Sequence, residues 1–305
     1  MKRIAVTRQR TGAPKQEQQK KRPWKPLIML TLLSGTVVMV LLAAVCAAAD
    51  LGLMAPSLLK GNMQEWVILD SRPRSEWEAG HLPGAIPFFW ESFTRTDARG
   101  VMYGSFPPQE LAAVLAGMGI DEKTPLVVYG DADSSWGSEG YTVWLLTWLG
   151  HKGAIRLLNG GIQSWRGENL PLTRGMGKAL PAKARYQVEL KPRYIVTTEE
   201  LQAARGSYTL VDTRSTFEWI KGRIPGAIHI PWEDFHTGKD RHPLSPAELK
   251  KLFARHDLDL SRPVVYYCLG GVRSAYAWTV QQLAGLPEAR NYKGSWAAWE
   301  KRSGR

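Results

Sequence analysis

One thiol, two glycines, an arginine and a serine stand in order in Cys268-Leu269-Gly270-Gly271-Val272-Arg273-Ser274. A thiolate is a strong nucleophile, and its pKa falls where backbone N–H groups, a helix N-terminus and a cation gather around it. Gly270 and Gly271 let the backbone curl and turn its N–H groups inward as an anion nest. Ser274 is expected to cap the helix that follows, whose N-terminal dipole also favours negative charge. Arg273 is expected at the rim, as a cation for an anionic substrate. The apolar run Pro263–Tyr267 before the segment reads as a buried strand and Ser274–Leu283 after it as a helix. Cys268 is then the first residue beyond a strand, where open parallel sheets bind ligands. A free cysteine is often a small core hydrophobe. The whole ordered set at a strand-to-helix junction favours chemistry instead.

The sequence holds two cysteines, Cys46 and Cys268. Cys46 falls in an apolar N-terminal segment, so Cys268 is the one thiol of the remainder. A disulfide framework and a cysteine metal site are excluded. None of the six histidines has ligand spacing to a second metal-binding side chain, and no metal or cofactor is implied.

The elements that must position Cys268 are written twice. Leu69-Asp70-Ser71-Arg72, Glu76-Trp77 and Gly80-His81-Leu82-Pro83-Gly84-Ala85-Ile86 recur as Val211-Asp212-Thr213-Arg214, Glu218-Trp219 and Gly222-Arg223-Ile224-Pro225-Gly226-Ala227-Ile228, offset by 142. Val127–Asp131 matches Val264–Cys268 at an offset of 137, and Gly160–Trp165 matches Gly294–Trp299 at 134. Order kept with a slowly drifting offset marks a tandem domain. Val67–Asp70, Leu126–Tyr129 and Thr209–Asp212 also read as buried strands. Pro108–Gly117, Tyr141–Leu149 and Pro246–His256 read as helices. The fold class is therefore α/β: two domains, each a parallel sheet with helices on both faces. They are expected at 57–173 and 193–303, joined by a Gly-, Lys- and Pro-rich linker at 174–192.

The net charge of +12 is concentrated at the N-terminus. Residues 1–26 carry nine Lys/Arg against Glu17; 31 basic and 27 acidic residues follow, a balance of +4. The basic character belongs to a tail, and nucleic acid is not the expected partner. Leu27–Ala49 has no charged residue, and as a helix its 23 residues would span roughly 34 Å. Lys20-Lys21-Arg22 before it predicts a cytoplasmic N-terminus and export of the rest, to the periplasm in a bacterium. The segment is expected to be an inner-membrane anchor; with Ala47-Ala48-Ala49 at its end, a cleaved signal is the alternative, releasing the domains into the periplasm.

Through Asp-x-Arg with Gly-His-Leu-Pro-Gly-Ala-Ile (70–86), Asn159-Gly160-Gly161 with Trp165, the second Asp-x-Arg with Ile-Pro-Gly-Ala (212–227) and the Cys268 segment, residues 60–303 resemble the tandem-domain rhodanese family of thiosulfate and 3-mercaptopyruvate sulfurtransferases. The resemblance implies a catalytic second domain and a non-catalytic first one; here Asp131 stands at the position matching Cys268. It implies that Cys268 takes sulfur from a small donor as a persulfide, held by the loop N–H groups, and passes it to a thiol or cyanide. Thiosulfate is the favoured donor, because a dianion suits Arg273 and nest amides. The longer insertion that supplies substrate arginines in that family is missing after Arg214, and Arg223, in place of the usual histidine, is a candidate substrate contact. Asp70, Arg72, Asp212 and Arg214 occur in both copies, so a structural role is expected for them. Trp232, Trp296 and Trp299 are candidates to line the pocket.

Two other functions compete. Rhodanese-fold phosphatases also use a Cys-to-Arg loop, but a longer one; the four residues 269–272 between Cys268 and Arg273 suit a sulfur atom better. A non-catalytic module that binds sulfur species or docks a partner at the membrane is the second, and the presence of Cys268 weighs against it.

Overall fold

The computed structural model describes residues 50–175 and 185–302. The basic tail, the apolar segment 27–49 and linker residues 176–184 lie outside the described residues. Among the described residues no helix is long and apolar enough to cross a membrane.

Each repeat builds a five-stranded sheet in which every paired strand is parallel. The first runs Leu51–Met54, Ile155–Leu158, Leu126–Tyr129, Val67–Asp70, Ile86–Pro87 across the sheet. The second runs Ile195–Val196, Ala289–Tyr292, Val264–Tyr267, Thr209–Asp212, Ile228–His229, the same order. The central strands Leu126–Tyr129 and Val264–Tyr267 are buried at every residue, as expected of a sheet covered on both faces. The first sheet begins at Leu51, upstream of the expected domain start at 57, because Leu51–Met54 pairs with Ile155–Leu158.

The helices Ser138–Leu149 and Val272–Leu283 start earlier than their apolar periodicity suggests. Each follows a left-handed glycine, Gly137 (φ 75°) or Gly271 (φ 95°), which sets the first turn without a side-chain cap. These two helices meet closely. A Cβ at Gly140 would lie 2.4 Å from Tyr276 Cα, and Thr279 Oγ1 donates to Gly140 O at 3.0 Å. One apolar core therefore runs through both repeats. Near the end of the expected linker, Glu189 N–H donates to Leu149 O and Lys191 N–H to Trp148 O, tying the chain to the first repeat before it enters the second.

The duplicated Asp-x-Arg motifs are buried structural pairs. Arg72 Nη2 and Asp70 Oδ2 lie 2.6 Å apart, and the same Nη2 donates to Gly80 O at 2.8 Å. Arg214 repeats this with Asp212 at 2.6 Å and Gly222 O at 2.6 Å. Tyr129 Oη donates to Asp70 and accepts from Leu82 N–H; Tyr267 Oη accepts from Ile224 N–H. Each pair pins the turn after its helix to the end of the strand that carries its aspartate, and the tyrosine ties that turn to the central strand. The guanidinium satisfies the buried carboxylate, which would otherwise carry a large desolvation penalty.

Candidate active site

Cys268 follows the strand Val264–Tyr267 and is buried. Its backbone is fixed from the side: Cys268 N–H donates to Ser295 Oγ at 3.2 Å, and Trp296 N–H donates to Cys268 O at 2.9 Å. Gly271 N–H donates to Sγ at 3.1 Å, so the loop does fold its amides toward the sulfur. Gly271 can do this because it is left-handed, with a Cβ position only 3.0 Å from Lys293 O.

Ser274 is not a helix cap. It sits in the first turn of Val272–Leu283, whose N-cap position is Gly271. Its hydroxyl lies 2.7 Å from Asn291 Oδ1 and 3.7 Å from Sγ. Asn291 Nδ2 in turn donates to Gly271 O at 3.0 Å, so Ser274 and Asn291 brace the loop. Burial disfavours the Cys268 thiolate. It is outweighed by the charge of Arg273, by the N–H and hydroxyl of Ser274 and by the Gly271 N–H, and the thiol pKa is lowered.

Arg273 is buried, and its two terminal nitrogens bind both oxygens of Glu218 at 2.7 and 2.8 Å. The expected free cation at the rim is thus a bidentate ion pair. Partial burial would raise the Glu218 carboxyl, but Arg273 and Ser215 hold it down to about 2. Glu218 also closes a capping box with Ser215, so helix Thr216–Lys221 places it. The pattern Ser215-x-x-Glu218 was readable as a helix start, though nothing in it pointed to Arg273.

The cavity over Cys268, of about 380 Å³, is walled by the other repeat. Trp90, Glu91, Tyr103 and Trp136 face Glu218, Leu269, Gly270, Val272 and Arg273. Tyr103 (φ 62°) and Trp136 (φ 55°) are left-handed, a conformation bulky side chains seldom adopt. Tyr103 presses on the loop: a Cβ at Gly270 would come within 2.5 Å of Tyr103 Cβ. The tryptophans expected at the pocket lie elsewhere. Trp232 packs edge-on against Tyr276, Trp296 lies under the Arg214 guanidinium at 4.5 Å, and Trp299 is buried in the core of the second repeat. Arg223 does not line the cavity either; it stacks on Trp219 at 4.6 Å. His81 takes the same place in the first repeat, stacked on Trp77 at 4.3 Å.

The matching loop of the first repeat is chemically opposite. Asp131 replaces Cys268 and accepts from Gln163 Nε2 at 2.7 Å. Glu139 is the second residue of its helix, as Arg273 is of its own. Burial, with the nearby Asp131, raises the Glu139 carboxyl to about 7. An acid where the other repeat has its cation cannot stabilise a thiolate or persulfide.

A family model for the rhodanese-like domain matches the chain twice, at residues 55–168 and 197–302. Human 3-mercaptopyruvate sulfurtransferase is 32% identical over 244 residues, which span 75% of this chain and 80% of that one. The thiosulfate sulfurtransferase of Corynebacterium glutamicum is 32% identical over 250 residues, 73% of this chain and 78% of that one. Among solved structures, the 3-mercaptopyruvate sulfurtransferase SseA of Escherichia coli superposes with a TM-score of 0.71 at 21% identity, over 80% of this chain and 98% of that one.

Proposed function

The chain belongs to the rhodanese-like domain family, and from that premise we propose that it is a sulfurtransferase in which Cys268 carries sulfane sulfur as a persulfide. The observation that carries this reading is the environment of Sγ: a buried sulfur with a lowered thiol pKa, held at 3.1 Å by Gly271 N–H, at the floor of a cavity. The thiolate attacks the outer sulfur of the donor. The donor's bond to that sulfur breaks, its electron pair leaves with the remainder of the donor, and a Cys268 persulfide anion forms. Cyanide or a thiol then removes the outer sulfur and returns the pair to Sγ.

The two relatives are named for different donors. Thiosulfate, favoured from the sequence, keeps the loop amides as support but loses the free guanidinium, because Glu218 binds it. 3-Mercaptopyruvate, a monoanion, meets less repulsion from Glu91 and Glu218, and we place it first. The apolar segment 27–49 and the basic cluster before it support an inner-membrane anchor with the sulfurtransferase domains in the periplasm. A fusion reporter beyond residue 305 that is active only in the cytoplasm would reject that placement.

The test is a donor screen on the full-length protein, wild type beside Cys268→Ala, read by thiocyanate formation and by the mass gain of one sulfur. Sulfur uptake by wild type and none by Cys268→Ala is expected. Thiocyanate formation surviving in the variant would remove Cys268 from the mechanism. Phosphate release from an aryl phosphate would move the assignment to a phosphatase, and no persulfide from any donor would move it to a binding module.

A further inference from the structure

The cavity over Cys268 carries more negative than positive charge. Glu91 and Glu218 line it, and among its lining residues Arg273 is the one cation. That cation is already bound at both terminal nitrogens by Glu218. Glu91 is exposed, and no described residue forms an ion pair with it. The remaining wall facing the sulfur is aromatic: Trp90, Tyr103 and Trp136. Trp136 is 57% exposed at the rim. Once sulfur is loaded, the persulfide adds a further negative charge at the floor.

An anionic acceptor entering this space meets like charge with no free cation to offset it. A positively charged one meets a carboxylate and the negative faces of aromatic rings, both attractive. Resting on the persulfide reading above, we infer that the acceptor is a small thiol bearing a positive charge, and that Glu91, from the non-catalytic repeat, selects it. In the transfer, the acceptor sulfur bonds to the outer persulfide sulfur and the bond from that sulfur to Sγ breaks. The electron pair stays on Sγ as the Cys268 thiolate, and the thiol proton ends on the outer sulfur of the new persulfide. Neither an oxidant nor a reductant is needed.

A charge series of small thiols tests this: cysteamine, 2-mercaptoethanol and 3-mercaptopropionate, added to sulfur-loaded full-length protein. Loss of the sulfur is followed by mass, and rates are normalised to the thiolate present. The decisive quantity is the cysteamine-to-mercaptopropionate rate ratio, compared between proteins so that intrinsic thiol reactivity cancels. A unit charge beside a partly exposed cavity is worth roughly fivefold in rate. From wild type to Glu91→Gln this ratio should fall by about that factor, and in Glu91→Lys it should fall further. The same ratio in wild type and Glu91→Gln, or a ratio that rises in either variant, overturns the inference. If Cys268 takes up no sulfur from any donor, the sulfurtransferase reading fails first and this one falls with it.

Discussion

Replacing Gly270 with alanine tests whether the first repeat clamps the nucleophile loop of the second. The new Cβ would lie 2.5 Å from Tyr103 Cβ and 2.8 Å from Tyr103 Cδ2 and Cγ. Ordinary carbon contacts need about 3.5–4.0 Å, so loop and Tyr103 must separate by about 1 Å. Gly270 is outside the left-handed region, which leaves the clash as the principal cost. Overpacking of this kind costs about 2 kcal/mol, or a melting midpoint lower by about 5 °C in a chain of this size. The same displacement lengthens the 3.1 Å contact from Gly271 N–H to Sγ beyond hydrogen-bonding range. Misplacement by about 1 Å in a reactive site costs tenfold to a hundredfold in rate. Sulfur uptake by Cys268, followed by mass after mixing with donor, should slow accordingly. Tyr103→Gly, which suits the left-handed backbone there, should recover part of both losses in the Gly270→Ala background, with a coupling of about 1 kcal/mol or more. Wild-type uptake and melting in Gly270→Ala, or no relief from Tyr103→Gly, would refute the clamp.

Three further outcomes follow from the charges. Glu139 has a folded-state pKa of about 7, above its ordinary value, so stability present below about pH 4.5 declines as pH rises toward 7, by on the order of 3 kcal/mol; urea unfolding at pH 5 and pH 8 should show this loss in wild type and not in Glu139→Gln. Glu218 is shifted the other way, to about 2. The advantage of wild type over Glu218→Gln in urea unfolding should be complete above about pH 4.5 and vanish as pH falls toward 2; a gap that persists at pH 2 would contradict the ion pair. Asp131→Cys in a Cys268→Ala background should take up no sulfur, because Glu139 stands where Arg273 does in the other repeat; a mass gain of one sulfur would show that the first repeat needs only a thiol.

Much of this molecule is legible in its sequence. The duplication, the alternating strands and helices, the position of Cys268 beyond a strand and the inward amides follow from local rules: apolar runs seek a covered sheet, and glycine permits the curl that turns N–H groups to the sulfur. Asp131 at the matching position already marked the first repeat as lacking a nucleophile. The cavity was not legible, because its walls come from both repeats. Trp90, Glu91, Tyr103 and Trp136 lie more than a hundred residues from Cys268, and no local pattern joins them to it. Only the seating of helix Ser138–Leu149 on Val272–Leu283, at the contact of Gly140 with Tyr276, brings them over the sulfur. The same holds for charge. The sequence placed a cation beside the thiol, whereas folding put Glu218 against it, 55 residues away. What the sequence determined is a nucleophile and its loop. What tertiary structure decided is how that nucleophile is walled and charged, because long-range packing, not local pattern, sets which side chains share a cavity.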